Sequence, residues 1–191
     1  IEYLESRGYD IAVSDLRDYS TTFSFETIRE DSFSHVTWPK NHPRAGEPII
    51  LRDYQPQILN MFLSNPQSIQ EVATGAGKTI MTAALSRTVE PYGRSIVIVP
   101  NKSLVTQTED DYRNMGLDVG VYFGDRKEWG RQHTICTWQS LNVLLKNTQA
   151  GTAECTIGEF IEDVICVIVD ETHMAKADAL KSRSEEHTSE L

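Results

Sequence analysis

The spacing of apolar and polar residues changes character several times along the chain, and each change predicts an element. Apolar, β-branched runs stand at Ser95-Ile96-Val97-Ile98-Val99 and at Val164-Ile165-Cys166-Val167-Ile168-Val169. Both are strand-sized and neither alternates with polar residues, so each predicts a strand, the first a buried one and the second the most apolar of the chain. Val119 to Phe123 and Thr134-Ile135-Cys136 predict two more strands, and Ser68 to Val72 predicts another. Between these runs the spacing turns helical. Ile58, Leu59, Phe62 and Leu63 share one face of a helix that starts at Arg52-Asp53-Tyr54-Gln55-Pro56 and stops at Asn65-Pro66. Further helices are predicted up to about Val89, from Ser103 to Met115, from Gln139 to Lys146 and from Gly158 to Asp163. Strands alternating with helices predict an α/β fold, a parallel sheet with helices on both faces, and ligands then bind at the carboxyl ends of the strands.

Before residue 50 the pattern is weaker. Residues 1–8 are helix-compatible, Tyr9 to Val13 predicts a short strand, and Ser24 to Phe33 predicts a helix with Phe25, Ile28 and Phe33 on one face. Residues 35–48 carry Pro39, Pro43, Gly46 and Pro48 and read as a connector. The expected organisation is therefore the end of a small α+β domain over 1–34, a linker over 35–48, and an α/β domain over 49–182. His35 and His42 have no Cys or carboxylate support and read as loop residues rather than metal ligands.

The candidate chemistry sits at two strand ends. Glu71-Val72-Ala73-Thr74-Gly75-Ala76-Gly77-Lys78-Thr79 lies between a predicted strand and a predicted helix, the context of a phosphate-binding loop. Gly75 and Gly77 have no Cβ, so the backbone can curl and turn its N–H groups onto phosphate oxygens. The helix that follows aims its positive end at the same place. Lys78 offers a positive charge to the β- and γ-phosphates, and Thr79 a hydroxyl to Mg²⁺. Val72 stands where the strict pattern has Gly or Ala, and a Gly-rich turn without function is the alternative. The second strand end is Asp170-Glu171, directly after the most apolar run. Asp170 can hold Mg²⁺, and Glu171 can orient or deprotonate an attacking water. Two solvated carboxylates are the bland alternative, and the loop upstream weighs against it.

Gly-x-Gly-Lys-Thr together with Asp170-Glu171-Thr172-His173 resembles the first motor lobe of superfamily 2 helicases of the DExH type. Three more stretches carry the resemblance: Leu51-Arg52-Asp53-Tyr54-Gln55, Val99-Pro100-Asn101-Lys102-Ser103-Leu104-Val105 with Gln107, and Thr137-Trp138-Gln139-Ser140-Leu141. Within that superfamily the chain resembles phage UvsW-type DNA helicases, well over residues 50–181 and loosely over 1–49. The resemblance implies a RecA-like fold, with ATP and Mg²⁺ as cofactors. It implies a nucleotide site made of Arg52, Gln55, Thr74, Gly75, Ala76, Gly77, Lys78 and Thr79, with Gln55 reading the adenine edge. Asp170 would join Thr79 on the metal. Lys78, Asp170, Glu171 and His173 would be catalytic, His173 coupling the nucleotide site to later motifs. Pro100, Lys102, Gln107, Thr137 and Gln139 would touch a nucleic-acid backbone, DNA by the resemblance. The parent activity implied is an ATP-dependent DNA helicase or translocase that remodels branched DNA in recombination, repair or replication. A restriction-endonuclease motor and a lone, non-catalytic nucleotide-binding lobe are the competing readings. The family's second lobe, with its arginine fingers, has no counterpart in the sequence, so this chain alone is expected to bind ATP weakly and to turn it over hardly at all.

Composition adds limits. The 191 residues are 39% hydrophobic and 24% charged, ordinary for a globular protein. No apolar run approaches the roughly 20 residues of a membrane span. A net charge of −10 excludes coating of nucleic acid by bulk charge and leaves room for a local basic track. Arg126, Lys127 and Arg131, with Trp129 among them, are the densest basic cluster; a backbone track and a solvated loop are both open readings. Trp138 reads as core before it reads as a stacking residue. Three cysteines at unrelated spacings fit a reducing compartment, here the cytoplasm, or a host cell's if the source is a phage. The last nine residues, Arg183 to Leu191, resemble a translated sequencing adapter and are expected to be a non-native tail.

Overall fold

A computed structural model describes residues 7–8, 23–40, 42–65 and 67–172. The strand expected at Tyr9 to Val13, residue His173 and the expected tail lie outside the described residues. In chain order the elements are α1 (Tyr54–Ser64), α2 (Lys78–Val89) running into a short 3-10 turn (Glu90–Tyr92), β1 (Arg94–Val99), α3 (Lys102–Asn114), β2 (Val119–Phe123), β3 (Arg126–Lys127), β4 (His133–Thr137), α4 (Trp138–Ala150), α5 (Ile157–Ile161) and β5 (Val164–Val169). The strands form one sheet in the order β3-β2-β4-β1-β5. All pairings are parallel except that of β3 with β2.

β1 is central. Its Val97 stands opposite Ile135 of β4 on one side and Ile168 of β5 on the other. Successive side chains on a strand point to opposite faces, and the two faces of β1 feed two apolar clusters. Val97 and Val99 join Leu59 of α1, Leu85 of α2 and Tyr112 of α3. Ile96 and Ile98 join Leu144 of α4 and Phe160 of α5. The uniformly apolar run is explained by this two-sided burial.

The helices start where a side chain can take over the free N–H groups of the first turn. Asn101 accepts from Leu104 N to open α3, and Thr137 accepts from Ser140 N to open α4. Thr156 and Glu159 bond reciprocally to open α5.

Three elements differ from the expectations. The helix expected over Ser24 to Phe33 does not form. The Asn60 side chain of α1 accepts from Ile28 N and donates to Ile28 O, both at 2.9 Å, which fixes this stretch against α1 and removes it from any helical ladder. Ile28, Phe33, Ile49 and Leu51 lie in the same apolar cluster as the sheet. Second, Ser68 to Val72 pairs with no strand, and Ile69 is 87% exposed. Third, the two-residue strand β3 forms a tight antiparallel arm on β2, which a charged Arg-Lys pair does not advertise.

Phe160 is fully buried and meets Tyr122 edge-on, ring centroids 5.0 Å apart. Phe160→Ala is expected to cost about 3–5 kcal/mol of stability. Thermal or urea unfolding of the variant against the parent measures this.

Candidate nucleotide-binding site

The loop Thr74–Gly77 joins the unpaired segment 68–73 to α2. Gly75 and Gly77 have φ of 81° and 79°, the left-handed region where a side chain is strained. Gly77 also caps α2, and a Cβ there would meet Gln55 Nε2 at 2.7 Å. Glycine is thus required at 77 for two separate reasons. Backbone in this conformation turns successive N–H groups inward, and the helix dipole adds to them.

Across the site, Asp170 N donates to Ile98 O at 2.9 Å, so β1 holds the end of β5 in place. Asp170 Oδ1 accepts from Glu171 N at 3.0 Å. Glu171 has a φ of 52°, which costs a non-glycine residue about 1–2 kcal/mol. Its Oε1 accepts from Lys78 Nζ at 2.6 Å, joining two positions 93 residues apart. That hydrogen bond, against the cost of burial, holds the Lys78 ammonium above its usual range. Thr74, Lys78, Asp170 and Glu171 border one cavity of about 1360 Å³, with Val72, Met81 and Ile168 among its apolar walls.

These residues fit a nucleotide with Mg²⁺. The glycine curl and helix end offer N–H donors, Lys78 offers charge, and Thr79 and Asp170 are oxygen ligands of the kind Mg²⁺ takes. Among the described residues no group of three or more His, Cys, Asp or Glu side chains could hold a metal by themselves. That suits a cation carried largely by phosphate and water.

Gln55 lies against the loop. It is 2% exposed, its Nε2 donates to Ala76 O at 2.9 Å, and its Oε1 accepts from Arg52 N at 2.9 Å. Each end of the amide therefore makes one bond to protein. Arg52 Nη1 donates to Gly75 O at 3.1 Å, and the Tyr54 hydroxyl donates to Ala76 O at 2.9 Å. Tyr54 was assigned no role from sequence. Its signal was its place beside Gln55, in the same stretch. Three side chains before and within the first turn of α1 thus grip the phosphate loop by its carbonyls.

The candidate nucleic-acid residues sit after β1 and β4, on the same end of the sheet. Lys102 and Gln107 are exposed on α3, Gln139 is exposed on α4, and Pro100 is half-buried. Thr137 is 1% exposed, and its hydroxyl is occupied in capping α4. The basic cluster is largely neutralised. Arg126 forks onto Glu109 with two contacts of 2.7 Å and also pairs with Glu128, and Arg131 pairs with Asp118 at 3.1 Å. Lys127 lies 4.4 Å over the Tyr122 ring. The Arg126 hydrogen bonds hold the buried Glu109 carboxyl below its usual range. Of the two readings of this loop, the ion pairs favour a structural one. Trp138 is half-buried against the second apolar cluster, as expected of core.

A parallel α/β lobe with a glycine-rich loop, a lysine and a strand-end carboxylate pair on one cavity is the arrangement of a P-loop nucleotide-binding domain and fits the first lobe of a superfamily 2 helicase. The family model described as Type III restriction enzyme, res subunit, matches residues 48–189, and the chain belongs to that family. Two solved structures share the fold. One is the UvsW helicase from bacteriophage T4, with a TM-score of 0.54, 16% identity, 88% of this chain covered and 67% of that one. The other, also T4 UvsW, has a TM-score of 0.53 and 16% identity, over 91% of this chain and 40% of that one.

Gln55→Ala removes one of the donors on Ala76 O and is expected to weaken binding of Mg²⁺–ATP about three- to tenfold, the scale of one hydrogen bond. Titration of a fluorescent ATP analogue reads the change directly.

Proposed function

We propose that this lobe binds ATP with Mg²⁺ between the phosphate loop and Asp170-Glu171, and that it forms half of a DNA motor. The observation that carries the reading is the Lys78–Glu171 pair, which brings the two halves of the site to 2.6 Å. An arriving γ-phosphate would draw Lys78 away from Glu171. The released carboxylate could then orient or deprotonate the attacking water. Thr79 and Asp170 would hold the metal ion, which when bound neutralises charge on the phosphates. A second lobe bearing arginines would close the cleft, and opening and closing of the two lobes would move the protein along DNA. Lys102 and Gln107 on α3, with Gln139 on α4, would track the backbone.

The finer reading is remodelling of branched DNA in recombination, repair or replication, supported by the fold shared with T4 UvsW. A restriction-endonuclease motor is the second reading, favoured by the family description itself. Branched and linear duplex substrates separate them: a remodelling enzyme unwinds forks and junctions, whereas a restriction motor is stimulated by linear DNA carrying its recognition site.

Lys78→Ala is expected to lower affinity for Mg²⁺–ATP by about ten- to a hundredfold, the scale of a charge-assisted hydrogen bond. Glu171→Gln should keep binding and remove turnover. Equal binding by Lys78→Ala and the parent protein would sink the site assignment. The 191-residue chain alone is expected to hydrolyse ATP about 10³–10⁵-fold more slowly than a protein that also carries the second lobe, the usual weight of an arginine finger. A steady-state phosphate-release assay on both decides it.

A further inference from the structure

At the starting ends of the strands, away from Lys78 and Glu171, five side chains form a continuous polar chain through the core. Glu90 Oε1 lies 3.2 Å from His133 Nε2, and His133 Nδ1 lies 2.8 Å from Ser95 Oγ. Ser95 Oγ lies 3.1 Å from Ser86 Oγ, which lies 2.8 Å from the Tyr112 hydroxyl. Ser86, His133 and Tyr112 are 0% exposed and Ser95 is 1% exposed. Only Glu90 of the five reaches solvent. The chain ties α2, β1, β4 and α3 together, and none of its members belongs to the nucleotide site.

Ser95 has one hydrogen and two neighbours that can take it. The heavy-atom geometry suits it as donor to Ser86. It must then accept from His133 Nδ1, and Nε2 needs its own hydrogen to meet the Glu90 carboxylate, so the imidazole is doubly protonated. With a neutral imidazole whose hydrogen faces Glu90, Nδ1 is bare. Ser95 must then donate there, and Ser86 must become the donor to Ser95 if that link is to survive. One proton on His133 therefore sets the direction of the chain where it enters α2.

We propose that His133 is a positioning residue whose protonation state, acting through Ser95 and Ser86, sets how α2 seats on the sheet. Ser86 lies about two turns along the helix that begins with Lys78 and Thr79. The consequence for nucleotide affinity rests on the reading of that loop as the nucleotide site. The groups facing His133 are Glu90 from the turn after α2, Asp118 from the segment before β2, Arg87 from α2, and the Tyr112 ring edge, 5.9 Å between centroids. Burial, aided by Arg87 and opposed by Glu90 and Asp118, holds the imidazole below its ordinary value of ~6.5. The unfolded chain then takes up this proton before the folded one does. Its contribution to stability is complete above pH ~6.5, declines as pH falls, and levels off below the folded value.

The test uses this chain between about pH 5 and 8, with two readouts. Hydrogen-exchange protection factors of the α2 amides from Thr82 to Val89 report the seating. Titration with a fluorescent, Mg²⁺-loaded ADP reports the loop, and comparison with a non-titrating variant removes the nucleotide's own protonation. In the parent protein, α2 protection should change through the acid half of the range. Affinity should change by about threefold, the equivalent of half a pKa unit. Both changes should vanish in His133→Asn. Superimposable pH profiles for parent and variant overturn the proposal. If no nucleotide binds at any pH while α2 protection still changes in the parent only, the nucleotide reading fails and the positioning role stands. Should His133→Asn not fold, Glu90→Gln removes the carboxylate that favours the charged imidazole and should move the protection change to lower pH. An unmoved midpoint overturns the proposal.

Discussion

Parallel pairing of β1 on both sides governs every other placement in this lobe. Parallel strands run the same way, so the segments that follow them leave at one end of the sheet. That end receives Asn101 and the start of α3 after β1, Thr137 and the start of α4 after β4, and Asp170-Glu171 after β5. The bond from Asp170 N to Ile98 O extends the β1–β5 ladder one step beyond β5 and ends it at a candidate site carboxylate. The helix packing follows from the same arrangement, because a strand paired on both sides has both faces to cover. Val97 and Ile98, adjacent in sequence, serve opposite clusters for that reason.

The candidate nucleotide site combines a held loop backbone and an exchangeable charge pair. The loop's carbonyls at Gly75 and Ala76 are held by Arg52, Tyr54 and Gln55, and its Ala76 N–H donates to Ala73 O at 3.2 Å. The Lys78–Glu171 pair is different. Both side chains are about 30% exposed, so water screens their attraction, and a phosphate can compete for the lysine. A site that must accept and discharge a ligand is well served by a firmly held loop backbone and a charge pair that exchanges partners.

Much of this was legible in the sequence. β5 was readable from six apolar residues, β1 from four, and α2 from the glycines before it and Pro91 after it. The glycine-rich stretch 74–79 and Asp170-Glu171 stand out from local residue types alone, the first before a helix and the second after an apolar strand. The misreadings came from long-range contacts. Nothing in Ser24 to Phe33 shows that Asn60 will take both polar groups of Ile28 and so prevent a helix. The ion pairs of the basic cluster were not legible because Glu109 and Asp118 lie elsewhere in the chain. The polar chain through His133 was invisible for the same cause, since its five members are contributed by separate elements.

The unpaired Ser68 to Val72 segment leaves the sheet with an unusual border. Among the described residues nothing pairs with the outer side of β5, the most apolar strand, and Val167 there is 57% exposed. Proteins ordinarily blunt such borders with charge, proline or a bulge, and Val164 to Val169 contains none of the first two. A strand of this kind is a template for further hydrogen bonding. The row of unpaired N–H and C=O groups along this border is where another strand could extend the sheet.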